Sequence, residues 1–213
     1  MDETIHAYLL EQIPERSPFF SEIEAYAKQE GVPIMEKDSL HAMLQIMAIQ
    51  QPKRILELGT AIGYSALRMQ EVLPETEIIT IERDEARFTL AQENAAKFGA
   101  NQIQFVLGDA LVDFETLLAS APFDAIFIDA AKAQYEKFFE LYAPYLAENG
   151  VIYSDNVLFK GLALDELPEV QKKARMAKKM RAFNAFLNEQ TDFVTSTIPL
   201  GDGLAITRRR DVK

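Results

Sequence analysis

Short apolar runs alternate with amphipathic stretches from about residue 53 to 153. The runs Arg54–Leu58, Glu77–Glu82, Gln104–Leu107, Asp124–Asp129 and Val151–Ser154 are dominated by Ile, Leu, Val and Phe. Near-continuous apolar runs of this length predict strands buried on both faces of a sheet. Helical patterns lie between them. Asp84 is placed to cap a helix that runs to Phe98, with Gly99 as the residue that ends it. Ala133–Leu146 carries Tyr135, Phe138, Phe139, Tyr142 and Leu146 at helical spacing, a stripe suited to the core. Strand–helix alternation implies an α/β chain with a parallel sheet and right-handed crossovers.

Both ends break the alternation. Residues 1–51 read as helical throughout, with Asp38 capping Ser39–Gln50 and Pro52 marking the stop. These helices must cover the sheet, a cofactor or a second subunit. Near the other end, Asp192–Pro199 and Leu204–Arg208 flank Gly201-Asp202-Gly203 and read as a hairpin, so the sheet should finish with an antiparallel pair. No repeat, low-complexity linker or boundary interrupts the chain. One domain is expected over 1–213, with 1–51 as a helical cover and 52–213 as the core.

Composition narrows the chemistry. The 213 residues include no cysteine, which excludes disulfides, thiol nucleophiles and thiolate metal ligands. A cytoplasmic address is expected. Charges interrupt every apolar stretch before it reaches membrane-spanning length, and the first residues lack the pattern of a signal peptide. The net charge of −11 disfavours polyanions on average. It hides an asymmetry. No acid falls between Val170 and Asn188, while Lys172, Lys173, Arg175, Lys178, Lys179 and Arg181 all do, and Arg208–Arg210 form a second basic cluster.

The segment Ile55–Ser65 is a strand–turn–helix corner with Gly59 and Gly63 separated by three residues. Such a corner offers backbone N–H groups and close approach to a cofactor. It lacks the three glycines of a dinucleotide fingerprint. Glu57 in the loop mouth would repel a pyrophosphate. It suits a cationic ligand, and S-adenosylmethionine carries both a sulfonium and an ammonium. An ordinary βα turn is the alternative. Further candidates sit at the ends of later strands, where open α/β sheets bind ligands. Glu82 is placed to accept from both ribose hydroxyls, and Asp109, within Gly108-Asp109-Ala110, from an adenine amino group. Asp129, Asp155 and Asn156 supply three oxygens from two adjacent strand ends, a hard-cation set that favours Mg2+ over Zn2+. The alternative is that Asp155-Asn156 only makes a turn. Lys132 is a candidate general base there, because a nearby divalent cation would favour a neutral amine. His6 and His41 carry no catalytic assignment.

Together, Glu57-Leu-Gly-Thr-x-x-Gly-Tyr-Ser65, Glu82, Gly108-Asp109-Ala110, Phe127-Ile-Asp129-Ala-x-Lys132 and Asp155-Asn156 resemble the cation-dependent S-adenosylmethionine O-methyltransferases of the catechol and caffeoyl-CoA type. The resemblance spans nearly the whole chain. It implies a Rossmann-like, seven-stranded sheet of order 3-2-1-4-5-7-6 with strand 7 antiparallel. It also implies Mg2+ on Asp129, Asp155 and Asn156, with Lys132 as base. By the same carry-over the cofactor would lie among Met35, Glu57, Gly59, Thr60, Gly63, Tyr64, Ser65, Glu82, Gly108, Asp109, Ala110 and Asp129. Met35 and Ser65 would border its methionine part. A homodimer is implied too. Within the family the chain most resembles the bacterial tRNA 5-hydroxyuridine methyltransferases, which form 5-methoxyuridine at the anticodon wobble position. That resemblance implies a tRNA partner. A helix from about Val170 to Asn188 would bury a stripe of Met176, Met180, Phe183 and Leu187, and would turn Lys172, Arg175, Lys178 and Arg181 toward RNA phosphates. A solvated amphipathic helix is the alternative, and a catechol or caffeoyl-CoA-like acceptor is the alternative substrate. Residues 157–169 would form part of the acceptor wall.

Overall fold

The computed structural model describes residues 3–159, 161–163 and 171–210. Strands β1 (Arg54–Leu58), β2 (Glu77–Glu82), β3 (Ile103–Leu107), β4 (Phe123–Ile128), β5 (Leu146–Ser154), β6 (Phe193–Ile198) and β7 (Leu204–Arg209) form one sheet of order β3-β2-β1-β4-β5-β7-β6. Neighbours from β3 to β5 pair in parallel, and β7 runs antiparallel to both β5 and β6. The expected topology is therefore present.

Side-chain alternation divides the sheet between two cores. Leu56, Leu58, Ile126, Ile128 and Ile152 face one side, beneath helices α7 (Tyr135–Tyr142) and α8 (Gln171–Glu189). Ile55, Ile78, Ala125, Phe127 and Tyr153 face the other, beneath α2 (Pro18–Glu30), α3 (Lys37–Gln50), α4 (Tyr64–Val72) and α5 (Glu85–Phe98). The remaining helices are α1 (Glu3–Glu11) and the short α6 (Phe114–Leu118). The N-terminal cover thus packs on the sheet itself, through Phe20, Ile23, Leu40, Met43 and Met47.

Helix α5 begins and ends as expected. The Asp84 carboxylate accepts from Arg87 N at 3.0 Å, and Gly99 takes the left-handed conformation. Three details differ from the sequence reading. The cover is broken into α1, α2 and α3 by irregular segments at 12–17 and 31–36. Asp38 lies inside the first turn of α3, where its carboxylate accepts from Ser39 N and from Gly201 N, both at 2.9 Å. It therefore pins α3 to the β6–β7 turn. Finally, Ala133–Leu146 is not one helix. A 3-10 turn at Lys132–Gln134 precedes α7, another follows at Ala143–Tyr145, and Leu146 already belongs to β5. Pro144 cannot donate to a continuing helix.

Candidate active site

The corner after β1 is built by glycine. Gly59 has φ +105°, and a Cβ there would collide with the Asp129 carbonyl and the Ala130 Cα. Only glycine lets the end of β1 lie this close to the end of β4. Gly59 N and Thr60 N both donate to Ile81 O at 3.1 Å, and Ala61 N donates to Glu82 Oε2 at 2.8 Å. Gly63, at φ +83°, opens α4 and packs on Ala91. The corner is thereby stapled to the end of β2.

Glu57 does not face the cavity above this corner, contrary to the expectation from its position. It pairs in register with Thr80, so both side chains point into the same core. There Glu57 is fully buried and accepts from the Ser65 hydroxyl and, at 2.5 Å, from the Thr80 hydroxyl. Burial pushes its carboxyl up to about 7; the two hydroxyls pull it down, and Glu82 adds to the rise. Thr60 and Ser65 likewise stand back from the main cavity. With Met35 they line a small recess that adjoins it.

The cavity occupies about 1050 Å³ over the C-terminal ends of the parallel strands, at the upper end of the ~300–1,000 Å³ usual for ligand sites. Met35, Gly59, Tyr64, Glu82, Gly108, Asp109, Ala110, Asp129, Lys132, Asp155 and Asn156 all line it. The Glu82 carboxylate is held by three backbone donors: Arg83 N at 3.0 Å, Asp84 N at 2.9 Å and Ala61 N at 2.8 Å. It is fixed in direction and retains lone pairs toward the cavity. Asp109 Oδ1 accepts from Leu111 N at 2.9 Å, and the Tyr142 hydroxyl donates to Ala110 O at 2.6 Å.

An acidic centre forms where β4, β5 and the β6–β7 turn converge. Asp129 N donates to Leu58 O and Asp155 N to Ile128 O, which continues the sheet pairing one residue past the strand ends. Asn156 adopts φ +62°, and its Nδ2 donates to Asp155 Oδ2 at 2.9 Å. Asp155 is 1% exposed, and its Oδ1 has no hydrogen-bond partner. Burial drives Asp129 up to about 7, with Lys132 opposing and Glu57 and Asp202 adding. Asp155 is raised well above the carboxylate range, first by burial and then by Asp129. Half-buried Lys132 begins the 3-10 turn and also lines the cavity.

This donor set fits a hard divalent cation. A second positive charge would relieve two buried carboxylates that repel each other, and Asp155 Oδ1 is an acceptor with nothing to accept from. Among the described residues no group of three or more His, Cys, Asp or Glu side chains could hold a metal. The expected trio draws its third oxygen from a carboxamide instead.

On α8 the buried stripe is Ala177, Met180, Phe183 and Leu187; Met176 is only half-buried. Arg175, Lys178, Lys179 and Arg181 are exposed on the opposite side, while the side chains of Lys172 and Lys173 lie outside the described residues. The helix sits beside the acidic centre. Phe183 packs edge-on against Tyr135 at 5.3 Å, and Asn184 Nδ2 donates to Val157 O at 2.8 Å. Of the expected acceptor wall, residues 160 and 164–169 lie outside the described residues.

Three side chains at this cavity, Asp202, Glu24 and Lys37, escaped the sequence reading. Asp202 stood there only as a turn residue, yet its carboxylate lies 3.5 Å from Asn156 Nδ2. Its flanking Gly201 and Gly203, both at positive φ, were the available signal of a tight, close-packed turn. Glu24 and Lys37 on the cover also line the cavity, and nothing local in the sequence marks them. Among the described residues, no helix is long and apolar enough to cross a membrane.

Comparison with known proteins agrees with this geometry. The family model described as O-methyltransferase matches residues 12–210. A catechol O-methyltransferase from Niastella koreensis is 38% identical over 70% of this chain and 67% of its own. A caffeoyl-CoA O-methyltransferase from Populus kitakamiensis is 30% identical over 84% of this chain and 78% of its own. The S-adenosylhomocysteine-bound methyltransferase PaMTH1 of Podospora anserina superposes with a TM-score of 0.88 at 25% identity, covering 98% of this chain and 95% of that one.

Proposed function

Because the chain belongs to the O-methyltransferase family, we propose that it carries a methyl group from S-adenosylmethionine to O5 of a 5-hydroxyuridine at the wobble position of a tRNA anticodon, using Mg2+ held by Asp129, Asp155 and Asn156. S-adenosylmethionine-dependent O-methyl transfer of the catechol and caffeoyl-CoA type is the chemistry of its family. The observation that carries the metal assignment is Asp155 Oδ1, a buried oxygen without a partner beside Asp129 and Asn156 on the cavity wall.

When bound, S-adenosylmethionine supplies an electrophilic methyl, and Mg2+ supplies charge that favours an ionised acceptor oxygen. Asp129 and Asp155 give the ion anionic ligands and Asn156 a neutral one. Glu82, fixed by its three backbone donors, offers its remaining lone pairs to the ribose hydroxyls. Asp109 and Ala110 border the adenine, and Met35 and Ser65 the methionine part. Lys132 takes the proton of the acceptor hydroxyl at Nζ. The deprotonated acceptor oxygen would then be free to take the methyl group that bound S-adenosylmethionine would supply, its sulfur keeping the electron pair of the former carbon–sulfur bond. Met35, Phe138 and Phe159 give the cavity apolar walls that would help keep water from the reacting groups. Holding oxygen and methyl at near-attack distance removes on the order of 7–11 kcal/mol of the barrier.

Two features support tRNA as the acceptor. Helix α8 packs beside the acidic centre through Phe183 and carries Arg175, Lys178, Lys179 and Arg181 on its exposed side, and phosphate neutralisation supplies most nucleic-acid affinity. Moreover, O5 and the neighbouring O4 carbonyl of 5-hydroxyuridine repeat the spacing of two catechol oxygens. The second reading, a catechol or caffeoyl-CoA-like acceptor, is favoured by the names of the two relatives above. The deciding experiment offers the protein labelled S-adenosylmethionine and Mg2+ with three acceptors: tRNA carrying 5-hydroxyuridine, a catechol panel, and caffeoyl-CoA. Label in the tRNA alone is expected. Label only in a small phenol would overturn the tRNA assignment.

A further inference from the structure

The wall of the cavity contributed by the helical cover contains a carboxylate with no part in the chemistry above. Glu24 on α2 lines the cavity beside Tyr64 and Lys37. Its Oε1 accepts the Tyr64 phenolic hydrogen at 2.5 Å, and its Oε2 meets Lys37 Nζ at 2.6 Å. Arg16 Nε stands 3.5 Å from Oε1, an ionic contact whose guanidinium side is only 4% exposed. The four groups come from four separate pieces: the segment before α2, α2 itself, the first residue of α3 and the first residue of α4. Tyr64 directly follows Gly63, the last residue of the glycine corner. Phe20, also on α2, packs edge-on against the Tyr64 ring with centroids 6.1 Å apart.

Burial disfavours a charged carboxylate at this place, yet the Lys37 and Tyr64 hydrogen bonds and the Arg16 charge overcome it and hold Glu24 below its ordinary value. The hydrogen bond to Tyr64 is therefore charge-assisted, the stronger kind. With the Phe20–Tyr64 ring contact, it joins the cover to the corner at the cavity wall. A ligand seated in the cavity lies against both walls, because Glu24, Lys37 and Tyr64 all line it.

We propose that Glu24 is a positioning residue for cofactor exchange: through Tyr64 it clasps the helical cover onto the glycine corner, and S-adenosylhomocysteine leaves only when the clasp opens. The proposal rests on methyl transfer from S-adenosylmethionine at this cavity and is independent of the acceptor and of the metal. The test is stopped-flow dissociation of S-adenosylhomocysteine from the full-length protein, with no acceptor or divalent ion present. Glu24→Gln keeps the size and removes the charge; Tyr64→Phe keeps the ring on Phe20 and removes the donor. Each should speed dissociation about tenfold. The double variant should be no faster than Tyr64→Phe alone, because both substitutions act on the same contact. Glu71→Gln, which breaks the pair with Arg68 elsewhere on α4, should leave dissociation unchanged even where it lowers the melting temperature. Unchanged dissociation in whichever of the Glu24 and Tyr64 variants folds, or additive effects in the double variant, would overturn the clasp alone. Wild-type protein that binds no S-adenosylhomocysteine would overturn the underlying assignment and the clasp with it.

Discussion

Glu57→Gln should change the pH dependence of folding by a calculable amount. Folded Glu57 keeps its proton up to about pH 7, whereas the unfolded chain releases it near 4.5. Between those values the folded chain binds more protons. Stability therefore falls as pH rises, and the loss is complete once pH passes the folded value. The full gap amounts to about 3 kcal/mol, at roughly 1.4 kcal/mol per pH unit. A range from about pH 5.5 to 8.5 avoids the isoelectric region near 4.7. About 2 kcal/mol of the loss is still to come over that range, because part has already occurred at its lower end. Gln fills the same space, and the Ser65 and Thr80 hydroxyls can turn to meet its amide at a pH-independent cost of about 1 kcal/mol. In urea unfolding followed by circular dichroism, the variant should gain about 2 kcal/mol on the wild type across the range. Parallel stability curves for the two proteins would refute the argument that Glu57 is a buried, reluctantly ionised group.

Asp155→Asn should lose turnover by orders of magnitude and yet, without divalent ions at pH 8, melt higher by about 2–4 °C for each kcal/mol of relieved repulsion with Asp129; differential scanning fluorimetry checks this, and a lower melting temperature would argue against buried repulsion. Lys132→Ala should slow single-turnover methyl transfer by about 10²–10⁴ while S-adenosylhomocysteine affinity in calorimetry stays close to wild type; a selective loss of cofactor binding would remove its role as base. Reversing charge at Arg175 and Lys178 should raise KM for tRNA and flatten its salt dependence; identical salt slopes would point to a small acceptor.

The elements set by local composition were legible in the chain. The apolar runs of β1 and β2 match the observed strands end for end, and Asp84 and Gly99 bound α5 as capping chemistry requires. What escaped depended on distant partners. β5 begins at Leu146 and runs through Glu148-Asn149-Gly150, which look like a turn; the β4–β5 register shifts between Phe123 and Ala125 to absorb the extra residues. Asp38 has the position of a helix cap, but the Gly201 amide from the far end of the chain takes one carboxylate oxygen. At the site, residues at strand ends reach the cavity because a parallel sheet brings those ends together, which spacing alone could predict. Glu57 is one residue inside β1, and the period-two alternation of a strand turns it away. Asp202 and Glu24 join the cavity wall through the β6–β7 turn and the packing of α2, and neither contact is written in nearby sequence.

We propose that methyl transfer depends on a divalent ion held by Asp129, Asp155 and Asn156. The most direct test is transfer of label from S-adenosylmethionine to the preferred acceptor after treatment with excess EDTA, followed by titration with Mg2+. Wild-type activity should vanish with chelation and return with the ion, while Asp155→Asn should stay inactive at every Mg2+ concentration. Full activity in EDTA, or Mg2+-dependent activity of Asp155→Asn equal to wild type, would contradict the claim.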